Sequence, residues 1–143
     1  MCLSIKMRHP DYVLAEGVYC GHEWVVVHNG NGYRCGYIKV PPGHPWHGRD
    51  YSDSLWEPDV HGGLTFAEPD TPCDKGGLDD GWWIGFDCAH FGDAQDRTLP
   101  NYGPTPWPLF GGGVGAQVRT EEFVEGECRN LCLQAAAAGV TVS

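Results

Sequence analysis

Two short apolar runs with a period of two place the strongest limit on how this chain folds. They are V-H-G-G-L-T-F (residues 60–66) and W-W-I-G-F-D (residues 82–87), and C-A-H-F-G-D (residues 88–93) follows the second. Side chains alternate across a strand. The first run therefore puts Val60, Gly62, Leu64 and Phe66 on one face and His61, Gly63 and Thr65 on the other. The second puts Trp82, Ile84 and Phe86 on one face and Trp83, Gly85 and Asp87 on the other. Each strand then has one ordinary core face and one face of polar groups, an indole and glycines. If the strands are neighbours, the second faces form a shallow floor. Gly63 and Gly85 leave room over the backbone, and Trp83 is a flat wall. The loop after Asp87 brings Cys88, His90 and Asp93 to the rim.

The rest of the chain supplies a frame. Residues 12–14 and 18–20 are candidate short strands. E-W-V-V-V-H (residues 23–28), the turn signal N-G-N-G (residues 29–32) and Y-R-C-G-Y-I-K-V (residues 33–40) predict a β-hairpin. P-P-G-H-P-W-H-G (residues 41–48) excludes a helix or a central strand, and predicts a rigid loop anchored by Trp46. Residues 49–56 have the pattern of one or two helical turns. Residues 68–81 read as a long polar loop, and residues 94–116 as a long irregular segment. Thr120 is a candidate N-cap, with Glu121 and Glu122 in the first turn. Val124, Cys128, Leu131, Cys132 and Ala135 form an apolar stripe, and Gly139 is a natural stop. The expected fold class is α+β: an antiparallel sheet with a long C-terminal helix packed on it, and long Pro/Gly-rich loops.

At 143 residues, with six Trp, six Tyr and five Phe, the chain is expected to form a single domain, residues 1–143. The formal charge of −10 argues against a partner that is a nucleic-acid polymer. No apolar run approaches the roughly 20 residues that span a bilayer. The N-terminus lacks a signal-peptide core, so a cytoplasmic location without membrane association is the expectation. Seven scattered cysteines with no C-x-x-C pair are expected to be reduced, and Cys35, Cys128 and Cys132 to act as small hydrophobes.

Two chemistries suit the central stretch. His61, Asp87, His90 and Asp93, with Cys88 as an optional further ligand, form an adequate set for a divalent metal ion that would activate water. The alternative is a pocket for a small polar molecule. There Asp87, His90 or Asp93 would meet hydroxyls, and Trp83 or Trp46 would stack a planar ring. His61, Thr65, Arg49 and the backbone at Gly62 and Gly63 would meet phosphates. The bland readings are that Asp87 caps a turn, that His90 bonds backbone, and that the indoles fill the core. G-G-G-V-G (residues 111–115) lacks the Lys and the strand–helix context of a phosphate loop, and reads as a linker.

The order Y-I-K-V-P-P-G-H-P-W-H-G, D-V-H-G-G-L-T-F, W-W-I-G-F-D-C-A-H-F-G-D and R-T-E-E-F-V-x-x-E-C resembles a family of small uncharacterised proteins encoded by bacteriophages and prophages. The resemblance covers residues 33–134. It implies expression in the cytoplasm of a bacterial host and an accessory role. The leading expectation is a phage accessory protein that binds a small polar metabolite, by analogy a nucleotide-derived host immune signal. The alternatives are a metal-dependent hydrolase of a nucleotide-like substrate and a protein-binding inhibitor of a host factor. Whether any reaction is catalysed stays open, as does a pocket shared within a homo-oligomer.

Overall fold

The computed structural model describes residues 13–28, 32–50, 58–61, 63–69, 81–88, 91–94, 98–99 and 112–140. Among the described residues seven strands precede one helix: β1 (Val13–Tyr19), β2 (His22–His28), β3 (Arg34–Val40), β4 (Phe66–Pro69), β5 (Trp82–Asp87), β6 (Phe91–Ala94), β7 (Gly112–Val118) and α1 (Glu121–Val140). The main sheet has five strands in the order β1-β2-β3-β5-β4, and each neighbouring pair is antiparallel. Strands β6 and β7 pair in parallel as a separate sheet. With α1 packed on the main sheet, this is the expected α+β architecture.

The hairpin of β2 and β3 forms as its residues predict, with Val25 opposite Tyr37 and Val27 opposite Cys35. Before it, the two weak strand signals merge into one strand, β1. Cys20 and Gly21 join β1 to β2 with φ of 52° and 82°. Two left-handed residues in succession match the right-handed twist of the flanking strands, as in a type I′ turn. Tyr19 and His22 close that turn as a pair.

The main sheet is buried on both faces. Trp24 and Val26, Ile38 and Val40, and Ile84 and Phe86 point to the helix side. Val25, Val27, Cys35 and Trp83 form a second buried cluster, with Val13, Tyr37 and Phe66 beside them. Burial on both faces explains why β2 reads as an unbroken V-V-V run rather than an alternating one. The helix stripe Val124, Cys128, Leu131, Cys132 and Ala135 is 0 % exposed throughout. Thr120 caps the helix: its Oγ1 accepts from the Phe123 N–H at 3.2 Å. The helix does not stop at Gly139 but runs on to Val140. Gly139 lacks the positive φ of a terminating glycine.

Three expectations change. Of the described residues in the run 60–66, only Phe66 lies in a strand. Gly63 takes a φ of 79°, its N–H donates to the Val60 carbonyl at 2.9 Å, and pairing with β5 begins only at Thr65. This turn breaks the expected alternation. Val60 and Leu64 join the helix-side core, while Phe66 faces Tyr37 on the other side with ring centroids 5.0 Å apart. The glycine-rich segment expected to be a linker is strand β7, and Asp93 lies inside β6 opposite Gln117 rather than on a loop. The helical turns expected over 49–56 fall mostly outside the described residues, as do 70–80 of the polar loop. Among the described residues no helix is long and apolar enough to cross a membrane.

Glycine sets how closely α1 approaches. A Cβ added at Gly36 would lie 2.6 Å from Phe86 Cζ and 2.7 Å from Cys128 Sγ. Substitution with Ala should overpack this contact and cost about 2 kcal/mol. Gly126 lies in the helix with nothing within 4 Å of an added Cβ. There Gly126→Ala should gain up to about 1 kcal/mol. Urea denaturation of the two variants should therefore give midpoint shifts of opposite sign.

Candidate functional site

Among the described residues, His61 and Asp87 are not brought together. His61 lies on the helix side, with its ring edge-on to Phe123 of α1 at 5.2 Å. Asp87 alternates with Trp83 onto the opposite side of the sheet, opposite Cys35 in register. The expected floor needed His61 on a strand adjacent to β5, and the turn at Gly63 removes that strand. Among the described residues no group of three or more His, Cys, Asp and Glu is arranged to hold a metal ion. Gly62 and His90 lie outside the described residues, and only the backbone of Asp93 is described.

The remaining expected residues have structural surroundings. Trp46 is 8 % exposed and packs in the helix-side core. Arg49 closes the proline-rich loop: its Nε–H donates to the Pro45 carbonyl at 3.2 Å, and its own carbonyl accepts from Trp82 Nε1–H at 3.0 Å. Thr65 starts the β4–β5 ladder. Gly63 provides the left-handed turn. Trp83 is 1 % exposed, and its buried Nε1–H has no hydrogen-bond partner among the described residues.

A polar row on α1 explains the position of His61. The Asp59 N–H donates to Gln134 Oε1 at 2.8 Å, and the His61 N–H donates to Glu127 Oε1 at 2.9 Å. The Asp59 carbonyl accepts from Gln134 Nε2 at 2.6 Å and from Asn130 Nδ2 at 3.0 Å. Glu127, Asn130 and Gln134 recur at helical spacing, so one edge of the helix grips this segment. The D-V-H motif is thus a docking segment for the helix. The sequence signal was there, in three long polar side chains beside the apolar stripe.

A cleft opens elsewhere, where the register of β2 and β3 ends at Trp24 and Ile38. It has a volume of about 230 Å³ and is lined by Gly21, His22, Glu23, Lys39 and Pro41. Here a side chain takes over from the ladder: His22 Nδ1 lies 3.1 Å from the Lys39 carbonyl oxygen. A carbonyl only accepts, so Nδ1 carries the proton and donates. Neutral His22 then has a bare lone pair on Nε2, for which the described residues provide no partner. The Lys39 ammonium lies 6.0 Å from the Trp83 ring centroid. Trp83, expected to stack a ligand, supports a lysine of the cleft instead.

A second imidazole backs the first. His44 and His22 meet edge to face with centroids 5.5 Å apart. The Trp46 N–H donates to His44 Nδ1 at 3.0 Å, and His44 Nε2–H donates to the Ala135 carbonyl of α1 at 2.8 Å. Both ring nitrogens are committed, which fixes the neutral Nε2–H tautomer and ties the proline-rich loop to the helix. Burial, followed by the neighbouring His22, lowers the His44 pKa, although its bond to Ala135 opposes that shift. Burial and Arg34 lower that of His28. Cys132 Sγ reaches the His22 carbonyl at 3.8 Å.

The thiols fit the expected structural role. Cys35, Cys128 and Cys132 are buried, as is Cys88, which was expected at the site rim, whereas Cys20 is exposed, and none of the five forms a disulfide. Burial, then the Asp87 charge, pushes Cys35 up to about 12, and burial does the same for Cys132. Such thiols are poor nucleophiles. Comparison with known protein families, curated proteins and solved structures gives no match.

The two lowered histidines give the fold a pH dependence with a definite sign. The unfolded chain takes up these protons near the ordinary value of 6.5, before the folded chain does. Stability should therefore be full above 6.5 and fall as pH drops from there through the lower folded values. Urea midpoints measured between pH 8 and pH 5 should decline on the acid side, and a flat profile would contradict the assignment of buried neutral imidazoles.

Proposed function

We propose that this chain binds a small polar molecule without transforming it, and that the cleft at Gly21, His22, Glu23, Lys39 and Pro41 is where it does so. The observation that carries this reading is a concave surface at the end of the sheet, lined by Gly21, His22, Glu23, Lys39 and Pro41, in which the Lys39 carbonyl orients the His22 imidazole. An imidazole oriented in this way can pair with a donor of a small ligand. Binding is preferred to hydrolysis for a specific reason. His61 and Asp87, two of the four residues expected to hold the metal ion, stand on opposite faces of the sheet.

The resemblance to phage-encoded proteins supports an accessory role in a bacterial cell. There the ligand would be a metabolite withheld from a host pathway, such as a nucleotide-derived immune signal. At about 230 Å³ the cleft is small beside pockets that enclose drug-sized ligands, which begin at roughly 300 Å³. It would therefore grip one part of such a molecule rather than all of it.

Native mass spectrometry of protein purified from a bacterial host tests the reading. The expected result is a mass excess matching one organic molecule that is released intact on denaturation. An excess of metal ions alone would favour the hydrolase. A bare polypeptide mass from the host of a related phage would count against both.

A further inference from the structure

We propose that His22 Nε2 accepts a hydrogen bond from the ligand, so that the group entering the cleft is a hydroxyl or N–H donor and not a phosphate. This rests on the reading of the cleft as a small-molecule site, and names the chemistry it selects.

The argument begins with the tautomer. The Lys39 carbonyl, 3.1 Å from Nδ1, holds the proton on that nitrogen. An imidazole that donates one N–H to a backbone carbonyl presents its other nitrogen as an oriented acceptor. The ring has little freedom to turn. His44 stands perpendicular to it, with centroids 5.5 Å apart, and His44 is itself held at both nitrogens. The cleft wall therefore offers a fixed lone pair. A phosphate oxygen is also an acceptor, so the two would repel unless a proton lay between them. A ribose-like hydroxyl or an exocyclic amine meets the lone pair directly.

Charge points the same way. The lining holds one cation, Lys39, and one carboxylate, Glu23, so it has no net excess of positive charge. The chain as a whole has a formal charge of −10, which disfavours approach of a multiply charged anion. A nucleotide-derived ligand would enter sugar-first or base-first, with its phosphates directed outward.

The experiment uses the full chain labelled with nitrogen-15 and follows backbone amide shifts at pH 8 during titration with D-ribose and, separately, with inorganic phosphate. The expected result is that ribose shifts the amides of Gly21, His22 and Lys39 saturably, while phosphate at equal concentration does not. The His22→Asn variant supplies the control. The Asn side-chain N–H replaces Nδ1–H toward the Lys39 carbonyl, but nothing replaces Nε2. In that variant ribose binding should weaken about tenfold, the worth of one hydrogen bond at the strong end of the usual range. The spectrum of the rest of the sheet should be unchanged. Phosphate shifting the cleft amides while ribose does not would overturn the inference but keep the cleft as a binding site. Undiminished ribose binding by His22→Asn would also overturn it. If neither probe shifts these amides, the cleft reading itself fails, and the inference fails with it.

Discussion

The close approach of helix and sheet at Gly36 governs the rest of the molecule. With no side chain there, Cys128 Sγ comes down onto the strand beside the Phe86 ring. That contact sets the height of the helix, and the geometry of the helix carries it forward. One turn later Cys132 meets the His22 carbonyl. Almost another turn on, the Ala135 carbonyl accepts from His44. The polar edge of the same helix grips Asp59 and His61 through Glu127, Asn130 and Gln134. A single tight contact in the middle of the sheet thus places the cleft at one end and the docked loop at the side.

The sequence made some of this legible, for physical reasons that can be separated. The β2–β3 hairpin and α1 were readable because their signals are local: a β-branched run, an N-G-N-G turn, an N-cap and a stripe at helical spacing. Trp82, Ile84 and Phe86 were assigned to the core face correctly, because β5 is a regular strand. The run at 60–66 misled because apolar alternation is not specific to strands. One left-handed glycine at 63 turned the chain, so that Val60 and Leu64 keep to the core face while Phe66 crosses to the other. The glycine-rich β7 was hidden for the opposite reason, since glycine carries no strand signal of its own and pairing with β6 is a long-range event.

The cleft was not readable from motifs because it depends on an end effect. It forms where two strands part, and its residues, Gly21, His22, Glu23, Lys39 and Pro41, come from two separate stretches of chain. A histidine at the start of a strand is unremarkable in sequence. What distinguishes His22 is the carbonyl on one ring nitrogen and the edge-on histidine beside it, and both are products of tertiary packing. Conspicuous sequence features proved to be framework instead. Trp46 fills the core, Arg49 closes a loop, and His61 sits where the helix holds the D-V-H segment.

The central claim is that packing fixes the two imidazoles in opposite tautomers. Long-range nitrogen–proton correlation spectra of the histidine rings at pH 8 test it without any ligand. The account predicts that His22 carries its proton on Nδ1 and His44 carries its proton on Nε2, each in a single form. Protonation of His22 at Nε2, or a mixture of tautomers at either ring, would contradict it.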